Sequence, residues 1–177
     1  MTGKIILNLA MSLDGYIATR DDRYDWIVGS GSSHLNTSEK HDFQAFLDTV
    51  DIVVMGKRCY DLGMHKDFSS KTVYVVTHQI LESSDSLIFI DDRVVSTMEH
   101  LRDEGKTIYL FGGGQIVDLF LKHNTIDEYI VGIIPIVLGK GIPLFLGESS
   151  EIPLHLDSMI VEDGIVILHY RKRTSIV

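Results

Sequence analysis

Residues 109–121 read YLFGGGQIVDLFL, three successive glycines set between an apolar run and an amphipathic one. Tyr109, Leu110 and Phe111 read as a buried strand. From Gln115 onward, Ile116, Val117, Phe120 and Leu121 share one face of a helix. Between them Gly112, Gly113 and Gly114 permit backbone approaches that a Cβ forbids. A helix opening directly after such a turn aims unpaired N–H groups and a partial positive charge at the gap. Two readings stand on this stretch alone. One is a tight turn packed on a neighbouring strand, and the other is a cradle for a diphosphate.

The chain before the glycines decides the fold class. Residues 5–11 form a nearly continuous apolar run, the pattern of a strand covered on both faces. Similar short runs recur at 52–55, 72–76 and 87–90. Between them lie helical patterns. Ser38 reads as a cap with Glu39 in the first turn, ahead of Phe43, Phe46, Leu47 and Val50 on one face. Ser96 and Glu99 form a capping box for a helix that Gly105 ends. Residues 20–37 are a long polar loop with Asp21, Asp22, Asp25 and the single tryptophan, Trp26. After the glycine helix, residues 126–138 predict a long strand in which Pro135 forces a bend, a bulge or an edge position. Asp163-Gly164 between the runs 154–161 and 165–170 is a hairpin signal. The expectation is one α/β domain over residues 1–177. It has a mostly parallel central sheet flanked by helices and a C-terminal antiparallel hairpin.

Composition narrows the partners. The net charge of −9 argues against nucleic acid, which needs a basic stripe. The densest basic cluster, Arg171, Lys172 and Arg173, reads as a solvated tail. No apolar run approaches the ~20 residues of a membrane span. With one cysteine, Cys59, and no export signal, the cytoplasm is the expected location. The eight histidines show no His-x-His or His-x-x-x-His spacing, so no metal site is expected.

In open α/β sheets ligands bind outside the carboxyl ends of strands. Four pieces fall there: the Ser12-Leu13-Asp14-Gly15 turn, Gly56-Lys57-Arg58, Thr77-His78 and the triple glycine. Lys57 and Arg58 with Thr77 and His78 suit a phosphate monoester, or are solvated helix-start residues. Asp14 either makes an Asx-type turn or turns its carboxylate to a substrate. Asn8, polar within an apolar strand, requires a partner if buried, from a ligand or from loop backbone. Trp26 is a lid over a flat ring or a plug at the core edge. Cys59 at a helix start is either activated or an inert packed thiol. The glycines are not a G-x-G-x-x-G fingerprint, since Val117 follows Gly114 by three, nor a phosphate loop, since no Lys-Ser/Thr follows them.

Four segments in order, NLAMSLDGYIA, VVMGKRCYD, LFGGGQIVDLF and DEYIVGIIPIVLGKGIPLF, resemble the dihydrofolate reductase-like superfamily. They are most similar to its branch typified by the reductase domain of bacterial riboflavin biosynthesis. The resemblance implies an NADPH-dependent reductase delivering hydride to a C=N or C=O of a small heterocyclic or sugar-linked substrate. It sets Ala10 near the nicotinamide, and Gly56, Lys57, Arg58, Thr77 and His78 around the adenosine and its 2′-phosphate. Gly112, Gly113, Gly114, Gln115 and Ile116 would hold the diphosphate. Asn8, Asp14 and Trp26 would border the substrate, with Asp14 delivering a proton or orienting the acceptor. Two departures stand against folate reduction: only Glu39 and Asp42 offer the acid of the first helix, and a threonine of those enzymes is replaced near Gly132. The alternatives are a dihydrofolate reductase and a non-catalytic NADP-binding regulatory module. Relatives commonly pair, so a homodimer is expected, with the 126–138 strand as its contact.

Overall fold

Strands that are apolar on both faces need cover on both faces, and the chain supplies it. A computed structural model describes residues 3–147 and 149–173. Among these, eight strands form one sheet. At its centre β1 (Lys4–Ser12) lies between β6 (Thr107–Gly112) and β7 (Glu128–Ile134). Beyond β6 follow β3 (Ile52–Gly56), β4 (Thr72–Val76) and β5 (Leu87–Ile90), all parallel. Beyond β7, β10 (Ile165–Lys172) and the edge strand β9 (Leu154–Glu162) run antiparallel. A small second sheet pairs β2 (Tyr16–Ala18) with β8 (Ile142–Pro143). The architecture is the expected α/β fold, a mostly parallel sheet with an antiparallel terminal hairpin.

Alternate residues of each strand feed two cores. On one side Leu7, Val54 and Leu110 pack against α3 (Val94–Asp103) and α4 (Gly114–Lys122), through Met98, Val117 and Phe120. On the other, Val53, Met55, Val75 and Tyr109 pack with Phe68 of the 3-10 turn Met64–Phe68. That side is covered by α1 (Phe43–Asp48) and by α2 (Lys57–Asp61) through Phe46, Leu47, Cys59 and Tyr60. Burying one such aliphatic or aromatic side chain contributes roughly 1.5–3 kcal/mol. The hairpin turn has positive φ at both Asp163 and Gly164, as a two-residue turn between twisted strands requires.

Three local expectations are corrected. The first helix starts at Phe43, with the Asp42 carboxylate accepting the Ala45 N–H at 2.8 Å, so Ser38 is not its cap. The residues ahead of it are tied elsewhere: Thr37 exchanges hydrogen bonds with the Val161 backbone. The capping box is also unused. Helix α3 begins two residues before Ser96, whose hydroxyl donates to the Arg93 carbonyl. Finally, the long strand ends at Ile134, because Pro135 has no N–H for the ladder. It lies inside the sheet between β1 and β10, and Ile126, Tyr129, Val131 and Ile134 are buried in the chain's own core. Intramolecular burial therefore accounts for its apolarity without a second copy.

Candidate active site

The carboxyl ends of β3, β4 and β6 and one face of β1, β7 and β10 enclose a cavity of about 1190 Å³. The three glycines at its edge do three different things. Gly112 ends β6 with φ of +109°, a conformation that disfavours other residues, and its peptide bond to Gly113 is cis. Gly114 opens α4 so close to β8 that a Cβ would stand 2.4 Å from the Pro143 carbonyl oxygen. Gly113 is constrained by neither effect. Its backbone is extended, and a Cβ would meet only the Ile17 side chain, at 3.8 Å. It is the N-cap of α4, no side-chain hydrogen bond caps that helix, and Gly113 and Gly114 both line the cavity. The first N–H groups of a helix have no partner within it. Here the Ile116 and Val117 N–H groups donate to the Gly113 carbonyl at 2.9 and 3.0 Å, and the positive end of the helix, at Gly113, Gly114 and Gln115, borders the cavity.

The end formed by β3 and β4 is polar. Gly56, Lys57, Arg58, Thr77 and His78 all line it, as the spacing of strand ends predicts. Each basic side chain already has a carboxylate neighbour. Lys57 pairs with Asp61 one helical turn away, Arg58 with Asp22 at 2.7 Å, and His78 with Asp92 at 3.4 Å. Gln115 and Ile116 on α4 and Ala10 on β1 line the same cavity.

The opposite end rests on the sheet. Asn8 lies on the same face of β1 as Ala10 and is only 5% exposed. Its amide nitrogen makes no hydrogen bond among the described residues. Ala10 pairs in register with Gly132 of β7, and Gly132 with Ile167 of β10. Rings close this end: Phe43 and Tyr109 meet edge-to-face at 6.2 Å, and His41 lies 6.5 Å from Phe43. Burial lowers the His41 pKa, favouring the neutral ring.

Other expected site residues lie elsewhere. Gly112 is buried behind the cavity wall. Asp14 is exposed, and its carboxylate accepts the Ser12 hydroxyl at 2.6 Å and the N–H groups of Leu138 and Gly139 at 3.1 and 2.7 Å. The Ser12 hydroxyl above all, then these two N–H groups, hold its pKa below the ordinary carboxylate value. It fastens the 138–139 turn instead of facing the cavity, which is the structural alternative to an acid–base role. Trp26, 9% exposed, donates its indole N–H to the Arg23 carbonyl at 3.1 Å and is a plug within its own loop, not a cavity lid. Asp42 is engaged as the cap of α1, and neither it nor Glu39 lines the cavity. The Cys59 thiol pKa is raised by burial, the inert reading of that residue. Among the described residues no cluster of three or more His, Cys, Asp or Glu side chains is placed to hold a metal ion. No helix there is long and apolar enough to cross a membrane.

Sequence reasoning did not single out Asp22, His41, Phe43, Tyr109, Ile165 or Ile167 as lining residues. Phe43 and Tyr109 read as ordinary core, and Asp22 lies in a loop without periodicity. The one available signal was the arrangement of strand faces. Alternation puts Tyr109, Asn8 and Gly132 on the same side once β6, β1 and β7 are known to be neighbours.

Comparison with known proteins agrees with this fold. The family model of the RibD C-terminal domain matches residues 3–165. The uncharacterized protein YwjB of Bacillus subtilis (strain 168) is 34% identical over 176 residues, covering 96% of this chain and 98% of that protein. A solved structure from Shewanella sp. PV-4, named as a candidate riboflavin biosynthesis protein, superposes with a TM-score of 0.80 at 28% identity, covering 97% and 99% of the two chains. Dihydrofolate reductase of Enterococcus faecalis, solved with NADP(H), shares the fold at a TM-score of 0.63 and 12% identity, covering 98% and 99%. The chain belongs to the RibD C-terminal domain family, with the dihydrofolate reductase-like fold.

Proposed function

We propose that this chain is an NADPH-dependent reductase that delivers hydride to a C=N or C=O carbon of a small heterocyclic substrate. The observation that carries the reading is the bare N-terminus of α4 at Gly113. It opens into the same cavity as Lys57, Arg58, Thr77 and His78 at one end and Ala10 at the other. A diphosphate at the helix N-terminus fits the dipole and the free N–H groups. Arg58, with its planar fork, suits the 2′-phosphate, and Thr77 and His78 border the adenosine. Ala10 leaves a flat surface for the nicotinamide. The cavity exceeds the ~300–1,000 Å³ of ordinary single-ligand pockets, consistent with room for cofactor and acceptor together.

NADPH, when bound, supplies the hydride, and the protein's contribution is to hold two rings in contact and exclude water. Asp14 is not assigned proton transfer, because its oxygens are engaged by Ser12 and the 138–139 turn. Folate is a less suitable acceptor, because Asp42 caps α1 and no carboxylate of that helix reaches the cavity. The enzyme also pairs as a homodimer in this reading, through the edge strand β9, which exposes Leu154, Leu156 and Met159. Acceptor-dependent loss of reduced-nicotinamide absorbance tests the activity. NADPH binding without turnover on pteridine, pyrimidine and flavin-type acceptors would favour a binding module instead.

A further inference from the structure

The cavity divides by charge. Its cationic side chains, Lys57 and Arg58, stand at the end of β3, beside Thr77 and His78 at the end of β4. The other end is laid on one face of β1, β7 and β10. At its centre Gly132 sits beside Ala10, and nothing in the backbone demands glycine there, because its φ is not positive. A Cβ on Gly132 would meet Ile165, Ile167 and Ala10 at ordinary contact distances of 3.8, 3.8 and 3.9 Å. The missing side chain relieves no clash, and its effect is to keep the floor flat. Ring edges at Phe43 and Tyr109 bound that floor, a shape that takes a planar group.

Asn8 gives the floor its polarity. The residue is nineteen-twentieths buried, lines the cavity, and its amide nitrogen has no acceptor among the described residues. A buried donor without an acceptor is costly, and a ligand atom in the cavity would remove the cost. A phosphate here would face Ile165 and Ile167. The basic side chain of this end, His41, has its charged form disfavoured by burial. An anion in such surroundings lacks the pairing that would offset its lost hydration.

We propose that the floor formed by Gly132, Ile165 and Ile167, next to the Ala10 surface left for the nicotinamide, receives an uncharged planar ring without a phosphate group, and that a carbonyl oxygen or ring nitrogen of that ring accepts a hydrogen bond from the Asn8 amide. The inference rests on the reductase reading for calling this ring the hydride acceptor, while the ring site itself stands on Asn8, Gly132 and the apolar floor.

Lumiflavin and flavin mononucleotide share one ring system, and only the second carries a phosphate-bearing side chain. Each is titrated into the protein with NADP+ present, followed by flavin fluorescence, and NADP+ binding is measured separately by calorimetry. Lumiflavin is expected to bind about tenfold or more tightly than flavin mononucleotide. Asn8→Leu and Gly132→Val should each weaken lumiflavin about tenfold while NADP+ affinity stays within about threefold and the melting transition remains cooperative. Equal or tighter binding of flavin mononucleotide overturns the proposal. So does failure of both flavins to bind, or lumiflavin affinity untouched by both substitutions. Loss of NADP+ binding with the lumiflavin preference intact would remove the cofactor reading and leave this one standing.

Discussion

The Arg58 guanidinium donates to the Asp22 carboxylate at 2.7 Å, joining the start of α2 to a loop 36 residues earlier in the chain. Both side chains line the cavity end proposed for the 2′-phosphate. Asp22 therefore competes with that phosphate for Arg58. The pair is substantially exposed on the arginine side, so the competition is weak. Asp22→Asn should tighten NADPH by about two- to fivefold and leave NADH nearly unchanged. Arg58→Ala should weaken NADPH by about tenfold or more beyond any effect on NADH. Fluorescence titrations with both nucleotides measure the ratio, and equal losses for the two would remove Arg58 from 2′-phosphate recognition.

Gly113 and Gly114 differ in what a methyl group would meet, so alanine separates their roles. At Gly114 the methyl would collide with the Pro143 carbonyl. Gly114→Ala should lower stability by about 1–3 kcal/mol, read as a fall in the denaturation midpoint. At Gly113 there is space, so Gly113→Ala should fold with nearly unchanged stability and lose NADPH affinity about tenfold. A Gly113→Ala protein that binds NADPH normally would reduce the triplet to a packing turn.

Asp14 was legible as a turn residue or a substrate carboxylate, and the structure favours the turn. Asp14→Asn should change turnover by less than about threefold, where loss of a general acid costs ~10²–10⁴-fold. Its effect belongs to stability. The folded pKa is depressed, so the contribution is fully present above the ordinary value of 3.8 and is lost as pH falls through the lower folded value. Melting temperatures of wild type and Asp14→Asn should differ at neutral pH and converge in strong acid. A gap unchanged by acid would show that the carboxylate charge is not what holds the turn.

Strand β9 is the sheet edge, and its exposed Leu156 and Met159 give a second copy an apolar surface. Sedimentation should show a dimer that Leu156→Asp with Met159→Asp converts to monomer. A wild-type monomer at every accessible concentration would contradict the pairing.

Much of this arrangement was readable in the chain because its signals are local. The apolar runs, the Asp163-Gly164 turn and the glycines preceding α4 each specify structure within a few residues. What failed depended on distant partners. Ser38 loses its capping position because Thr37 is bonded to Val161, which periodicity around residue 38 cannot show. Asp14 finds its acceptor role at residues 138–139, over 120 positions away. Pro135 reads as a bend, a bulge or an edge position within one long strand, whereas it ends β7, and only the sheet order reveals that β7 is internal. Phe43 obeys the helical pattern of a core residue and still borders the cavity, because a helix face can cover a ligand as readily as a strand.

The central claim is that the bare helix end at Gly113 and the cations at Lys57 and Arg58 hold one NADPH. Titration with NADPH, followed by the fluorescence of the reduced nicotinamide, tests it directly. Saturable binding of one NADPH per chain, weakened by both Gly113→Ala and Arg58→Ala, is the expected result. Absence of saturable binding, or an affinity that neither substitution alters, would contradict it.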